Sequence, residues 1–182
     1  MKTKKIDNIE NFAGTILLPV YETSPKNLIP IQYGNVSISS NVFFGKRDTY
    51  YLAQDNVTTY IFIGLGKSID YKSLKTIFRR IAVKEKDSFT KKVALQAPDE
   101  FSKDQMEAAI SGLVLGTYNL GHYKNQAEHP FLRSNFVLEI ASKIDFSDAI
   151  HQAIKIAKAQ LETLALVDLP PNKVTPKYLA TW

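Results

Sequence analysis

The chain has 182 residues, 45% of them hydrophobic and 23% charged, with a formal charge of +5 and no cysteine. That length fits one domain, or one domain with an appendage, and buries roughly 70% of the unfolded surface without a disulfide or metal staple. The missing cysteine excludes disulfides, cysteine-bound zinc, iron–sulfur clusters and thiol catalysis, while the mild basicity is compatible with weak attraction to polyanions.

No apolar run reaches the ~20 residues of a transmembrane helix. The basic start, Met1 to Lys5, is followed by Ile6-Asp7-Asn8-Ile9-Glu10 rather than by the apolar core of a signal peptide, so a cytoplasmic location is expected.

The first third reads as strands. Residues 14–20 form a short apolar run whose Pro19 argues for a sheet edge or a strand exit. Residues 36–44 partly alternate apolar and polar, and 49–53 and 58–63 are rich in β-branched and aromatic residues. Gly34-Asn35 and Asp55-Asn56 supply turn chemistry, the second predicting a hairpin. From Gly64 the period changes: Leu74, Ile77, Phe78 and Ile81 predict a helix over 68–83. Residues 92–97 read as a strand ended by Pro98. Ser102 and Gln105 then have the form of a capping box that opens a helix running to about Tyr118. The segment 121–133 reads as a loop and 135–140 as a strand. The longest helix is expected over 147–167, with Ile150, Ile154, Leu161 and Leu164 on one stripe. This alternation predicts an α/β fold with a mixed central sheet flanked by helices. Thr175-Pro176 is a good helix start followed by only six residues, which raises the expectation of a further domain beyond Trp182.

No reaction centre is legible in these residues. Gly64-Leu65-Gly66-Lys67-Ser68 sits between a strand and a helix. The P-loop pattern, however, requires glycine where Ile61 stands, and the dinucleotide pattern requires one where Ile69 stands. Between Lys67 and Lys92, nine Lys or Arg face three Asp or Glu. Lys75, Arg79, Arg80, Lys91 and Lys92 are the candidate interaction patch. It could serve nucleic-acid phosphates or a subunit interface, and a solvated helix face is the ordinary alternative. His122, His129 and His151 lack metal-ligand spacing and read as satisfied or solvated side chains. There is no Gly-x-Ser-x-Gly elbow, and the carboxylates are scattered. No catalytic, cofactor-binding or metal-ligating residue is assigned.

One stretch points further. Residues 161–180, LETLALVDLPPNKVTPKYLA, resemble the junction before the catalytic domain in the leucyl aminopeptidase (cytosol aminopeptidase) family, the dinuclear-metal exopeptidases. The residues concerned are Asp168-Leu169-Pro170-Pro171-Asn172 and Thr175-Pro176. Residues 60–67, 77–81, 112–118 and the pair Tyr123-Lys124 resemble that family's N-terminal domain, in order. Leu164-Ala165 stand where the family often has Arg-Asp, Asp168 replaces an asparagine, and Asn119 to His122 lack the charges common in that loop.

The resemblance implies a macro-domain-like, non-catalytic domain over 1–145, a C-terminal linker helix over 146–168, and over 169–182 the start of a catalytic domain otherwise absent. It implies, as partners, that catalytic domain and further copies in a homo-oligomer, hexameric in the family. It also implies a parent peptidase using two divalent metals (zinc or manganese), whose metal-binding lysine and acidic residues lie outside this sequence. The alternatives are a nucleic-acid-binding module built on residues 67–92 and a macro-like domain binding ADP-ribose or another nucleotide near Gly64–Ser68. No membrane partner is expected.

Overall fold

The computed structural model describes residues 1–9, 12–23, 30–89, 92–119, 128–170 and 172–182. Its strands are β1 (Lys2–Ile6), β2 (Gly14–Tyr21), β3 (Ile31–Tyr33), β4 (Val36–Ile38), β5 (Tyr50–Gln54), β6 (Thr59–Gly66), β7 (Lys92–Gln96) and β8 (Val137–Ala141). Its helices are α1 (Tyr71–Lys84), α2 (Lys103–Leu115), α3 (Ser147–Val167) and the short α4 (Pro176–Thr181). Six strands make one sheet in the order β1-β8-β7-β2-β6-β5. All its pairs are parallel except β5 on β6, the hairpin turned by Asp55-Asn56, so the sheet is mixed as expected.

Strand periodicity divides the core into two. On one face Leu17, Ile61, Ile63, Val93, Leu95, Leu138 and Ile140 meet all three long helices. On the other face Ile16, Leu18, Tyr60 and Phe62 are covered by Ile9, Ile38 and Phe43 and by the β3–β4 hairpin. Pro19 lies inside a central strand, in register with Ile63, rather than at a sheet edge or strand exit; it is tolerated where the β2–β7 ladder has already ended at Leu17.

Five elements differ from expectation. The alternating stretch 36–44 keeps only β4 as strand. From Ser39 the chain turns, with Val42 and Phe43 both donating to the Ser39 carbonyl, and Phe43 is buried from that turn. Ser39, Ser40 and Asn41 favour a turn, which overrides the alternation. Helix α1 begins at Tyr71 rather than Ser68, because Asp70 caps it by accepting from the Ser73 amide at 2.9 Å. Helix α2 stops at Leu115 rather than near Tyr118, with Gly116 as its cap. Strands β1 and β3 were not foreseen. The former reads as a basic tail but pairs in register with β8. The capping box of Ser102 and Gln105 is present in full.

α2 is buried on nearly every side, as a helix must be when it lies between two others and on a sheet. It is admitted by Gly112 and Gly116. A methyl group at Gly112 would overlap the Lys75 carbonyl and lie 2.8 Å from Phe78 Cβ. One at Gly116 would overlap Ala82 Cβ and lie 2.9 Å from the Arg79 carbonyl. On the opposite side α3 approaches through Ala153 and Ala157, both fully buried.

Around Ala82 the core becomes aromatic. Phe131, on a 3₁₀ turn (Pro130–Leu132) within the segment read as loop, stacks on Phe89 at 4.8 Å and lies 4.6 Å from Phe136. His129 joins this cluster. Its Nε2–H donates to the Ala82 carbonyl at 2.9 Å, and its Nδ1 accepts from the Phe131 amide at 3.2 Å. Both ring nitrogens are used by the neutral form, so the reading of His129 as a satisfied core histidine holds.

Alanine is a better helix former than glycine by about 1 kcal/mol. The overlaps at the α1–α2 crossing nevertheless make Gly112→Ala a net loss of ~1–3 kcal/mol, through overpacking. Urea denaturation of Gly112→Ala and Gly116→Ala would show lowered midpoints, and a raised midpoint would contradict the crossing.

Burial, with a smaller contribution from Lys86, holds His129 below its ordinary value of 6.5. The fold therefore favours the neutral ring. This contribution is complete above pH 6.5 and declines as pH falls below it toward the folded-state pKa, because the unfolded chain takes up the proton first. Urea midpoints measured from pH 7.5 to pH 5, a window set by that 6.5, should fall, and His129→Gln should flatten the decline.

Candidate functional site

Gly64 and Gly66, expected in a strand-to-helix turn, belong to the end of β6, and their amides are taken by the protein's own backbone. The Gly64 amide donates to the Thr49 carbonyl at 2.8 Å and the Gly66 amide to the Gly45 carbonyl at 2.8 Å. Arg47 donates to the Ser68 carbonyl. A side chain at Gly64 would overlap the Lys46 carbonyl, and Gly66 has φ 75°, in the left-handed region. These glycines admit the 45–48 segment against β6. Their amides are committed to it and are not offered to a phosphate.

The residues of the basic patch fall in separate settings. Arg80 is paired with Asp48, both side chains about half exposed, an arrangement worth roughly 0–1 kcal/mol. Lys75 lies 5.6 Å from the centroid of the Tyr71 ring, whose hydroxyl donates to Glu107 at 2.8 Å. Arg79 is exposed on α1, while its backbone forms part of the seat for Gly112 and Gly116. Lys92, the first residue of β7, lines a hollow of about 340 Å³ with Arg133, Asn135 and Glu139. Lys91 lies outside the described residues. Asp48, Glu107 and Glu139 thus interleave carboxylates among the cations, so local charge is less one-sided than the sequence count suggests.

His151 is exposed on α3, and His122 lies outside the described residues. Among the described residues no group of three His, Asp or Glu side chains is arranged to hold a metal ion. Those residues do not fit a dinuclear metal centre.

The far ends of α2 and α3 make a further surface. Thr117, Tyr118, Leu132, Leu161 and Ala165 line a hollow of about 340 Å³. Tyr118 donates to Asp168, the residue standing where an asparagine was expected. Burial, reinforced by Asp168, pushes the Tyr118 hydroxyl up to about 12, so it remains a donor across the neutral range. Sequence reasoning did not find this contact, since the partners lie at the ends of different helices. Val167, the last residue of α3, is 72% exposed.

No protein-family model matches the chain. A probable cytosol aminopeptidase of Treponema denticola is 28% identical over 180 residues, 95% of this chain and 37% of the relative. One from Mycobacterium sp. (strain KMS) is 32% identical over 127 residues, 68% of this chain and 24% of the relative. Leucine aminopeptidase 1 of Arabidopsis thaliana is 24% identical over 123 residues, covering 65% and 24%. Among solved structures, a tomato leucine aminopeptidase mutant superposes with a TM-score of 0.72 at 17% identity, covering all of this chain and 41% of that one. The bottromycin maturation enzyme BotP gives 0.70 at 16% identity, covering 93% and 36%. The chain therefore spans about a quarter to two-fifths of the length of these relatives. By sequence and by fold, these residues correspond to the N-terminal domain of the leucyl aminopeptidase (cytosol aminopeptidase) family.

Proposed function

We propose that this chain serves as the non-catalytic N-terminal domain of an aminopeptidase, contributing to subunit assembly and to the shape of the path into the active site. The observation that carries this reading is the match itself: nearly the whole chain aligns with a minor part of each relative. In this reading the parent protein removes N-terminal residues from peptides. Two divalent ions, zinc or manganese, supply the water activation, held by a catalytic domain outside these residues.

The helix α3 is the connecting element in this reading, with a boundary near residue 146 and the catalytic domain starting near 169. Its first half is anchored by Ile150, Ala153 and Ala157, whereas beyond Ala157 none of its residues is fully buried. That gradient suits a helix whose far end is completed by another domain. The proposed partners are that catalytic domain and further copies in a homo-oligomer, and the proposed location is the cytoplasm. Among the described residues no helix is long and apolar enough to cross a membrane.

The purified chain should show no hydrolysis of leucine p-nitroanilide with added zinc or manganese. Turnover that follows the chain through purification and disappears on chelation would overturn the assignment of a non-catalytic role.

A further inference from the structure

Charge is concentrated at the β1 edge of the sheet. Lys2, Lys4 and Lys5 are exposed among its five residues, and within the sheet β1 pairs only with β8. A parallel ladder uses the backbone groups of alternate residues, so the remaining N–H and C=O groups of β1 point outward. Lysines at such an edge guard it against further strands, and the guard is selective. A second copy would set lysine against lysine, and an uncharged strand would bury ammonium groups without a partner. An acidic strand is the one class that the same charges attract.

Beside this edge lies a second feature, which guarding does not explain. The register sets Thr3 beside Leu138 and Lys5 beside Ile140, so both point to the helix face, and Lys2 and Lys4 point to the opposite one. On the helix face a hollow of about 210 Å³ is lined by Thr3, Lys5, Ile140, Ile150, His151 and Ile154. An aliphatic side chain fits there, since apolar cavities of ~150 Å³ take up a benzene ring. Lys158 of α3 and Lys2 both act on the Met1 amino group, so the helix brings a fourth lysine to the edge. Among the described residues the ion pairs are Arg80–Asp48 and Lys143–Asp99, and none of these four lysines is in one. Of the carboxylates nearby, Glu139 stands in register with Lys4, and Asp145 accepts from the Ser147 amide at 3.0 Å and its hydroxyl at 2.6 Å.

We propose that the outer edge of β1 takes up an extended acidic peptide segment as an added strand, with an aliphatic side chain in the hollow and carboxylates against Lys2, Lys4 and Lys5. The backbone edge then supplies affinity, the lysines select charge, and the hollow selects one apolar position. A nucleic-acid backbone would meet the lysines but leave the hollow and the outward amides unused, which is why the occupant is a peptide. Nothing at this edge requires a chain terminus, so an internal segment serves. The inference rests on the fold alone, and its failure would leave the aminopeptidase reading standing.

The probe is the peptide Glu-Glu-Leu-Glu-Glu, labelled at its amino end and amidated at its carboxyl end. It reads the same in both directions, so either strand orientation sets leucine opposite Thr3 and glutamate opposite Lys2, Lys4 and Lys5. Fluorescence anisotropy with the full chain should show saturable binding in the micromolar to millimolar range, and amide exchange in residues 2–6 should slow in the complex. Lys2→Glu/Lys4→Glu should weaken binding by ~tenfold or more, whereas Lys72→Glu/Lys75→Glu on α1, an equal change in net charge, should leave it within about twofold. Alanine in place of the leucine should weaken binding several-fold through lost apolar contact. No saturation at millimolar peptide, equal losses in the two variants, indifference to the leucine, unchanged exchange in residues 2–6, or tighter binding of a single-stranded oligonucleotide of equal charge would overturn the proposal. Should Lys2→Glu/Lys4→Glu fail to fold, Gln-Gln-Leu-Gln-Gln offered to the wild-type chain decides, since it should not bind.

Discussion

At the crossing of α1 and α2 there is no space for a methyl group at either of two positions one helical turn apart, Gly112 and Gly116. Much of the domain follows from that closeness. It lets α2 sink between α1 and α3, where it is buried on nearly every side, and it stacks the whole helical layer on one face of the sheet. The same contact positions Ala82, whose side chain meets Gly116 and whose carbonyl accepts from His129. The aromatic cluster of Phe89, Phe131 and Phe136 is thereby tied to the helix crossing through one hydrogen bond.

How far the sequence disclosed this differs from element to element. The α1, α2 and α3 helices, the β5–β6 hairpin and the capping box were legible because their signals are local: a period, a turn dipeptide, a cap. β1 was not, because Lys2, Lys4 and Lys5 have no strand pattern of their own and become a strand only through the ladder to β8. The turn at Ser39 escaped for a related reason. Ile38 and Phe43 are both buried, but in different conformations, and burial alone carries no register. The secondary segments of the family resemblance, 60–67 and 112–118, contain glycines whose physical duty is now visible. Gly64 and Gly66 seat the 45–48 segment, and Gly112 and Gly116 seat α1. A glycine pattern reporting close backbone approach resembles one reporting phosphate binding until the neighbour is seen.

The charge-rich region between Lys67 and Lys92 is also changed by three dimensions. Counted along the chain it is a cationic block. In space Arg80 is matched by Asp48, Lys75 lies on the ring of Tyr71 beside Glu107, and Lys92 shares its hollow with Glu139. No group of three His, Asp or Glu placed to hold a metal ion occurs among the described residues. What the domain presents instead is surface: an uncharged sheet edge, a lysine-lined one, and a helix end with large apolar side chains in the open.

The parallel ladder between β1 and β8 joins the two ends of the sheet's sequence, residues 2–6 with residues 137–141. On a ribosome the first strand would emerge long before its partner exists, with β2, β6 and β7 already able to associate. The lysines that guard β1 at the finished edge would then also keep an unpaired nascent segment in solution. Closure of the sheet is consequently a late, long-range event. The entropy of closing that long loop, not local strand propensity, is what the β1–β8 pairing has to overcome.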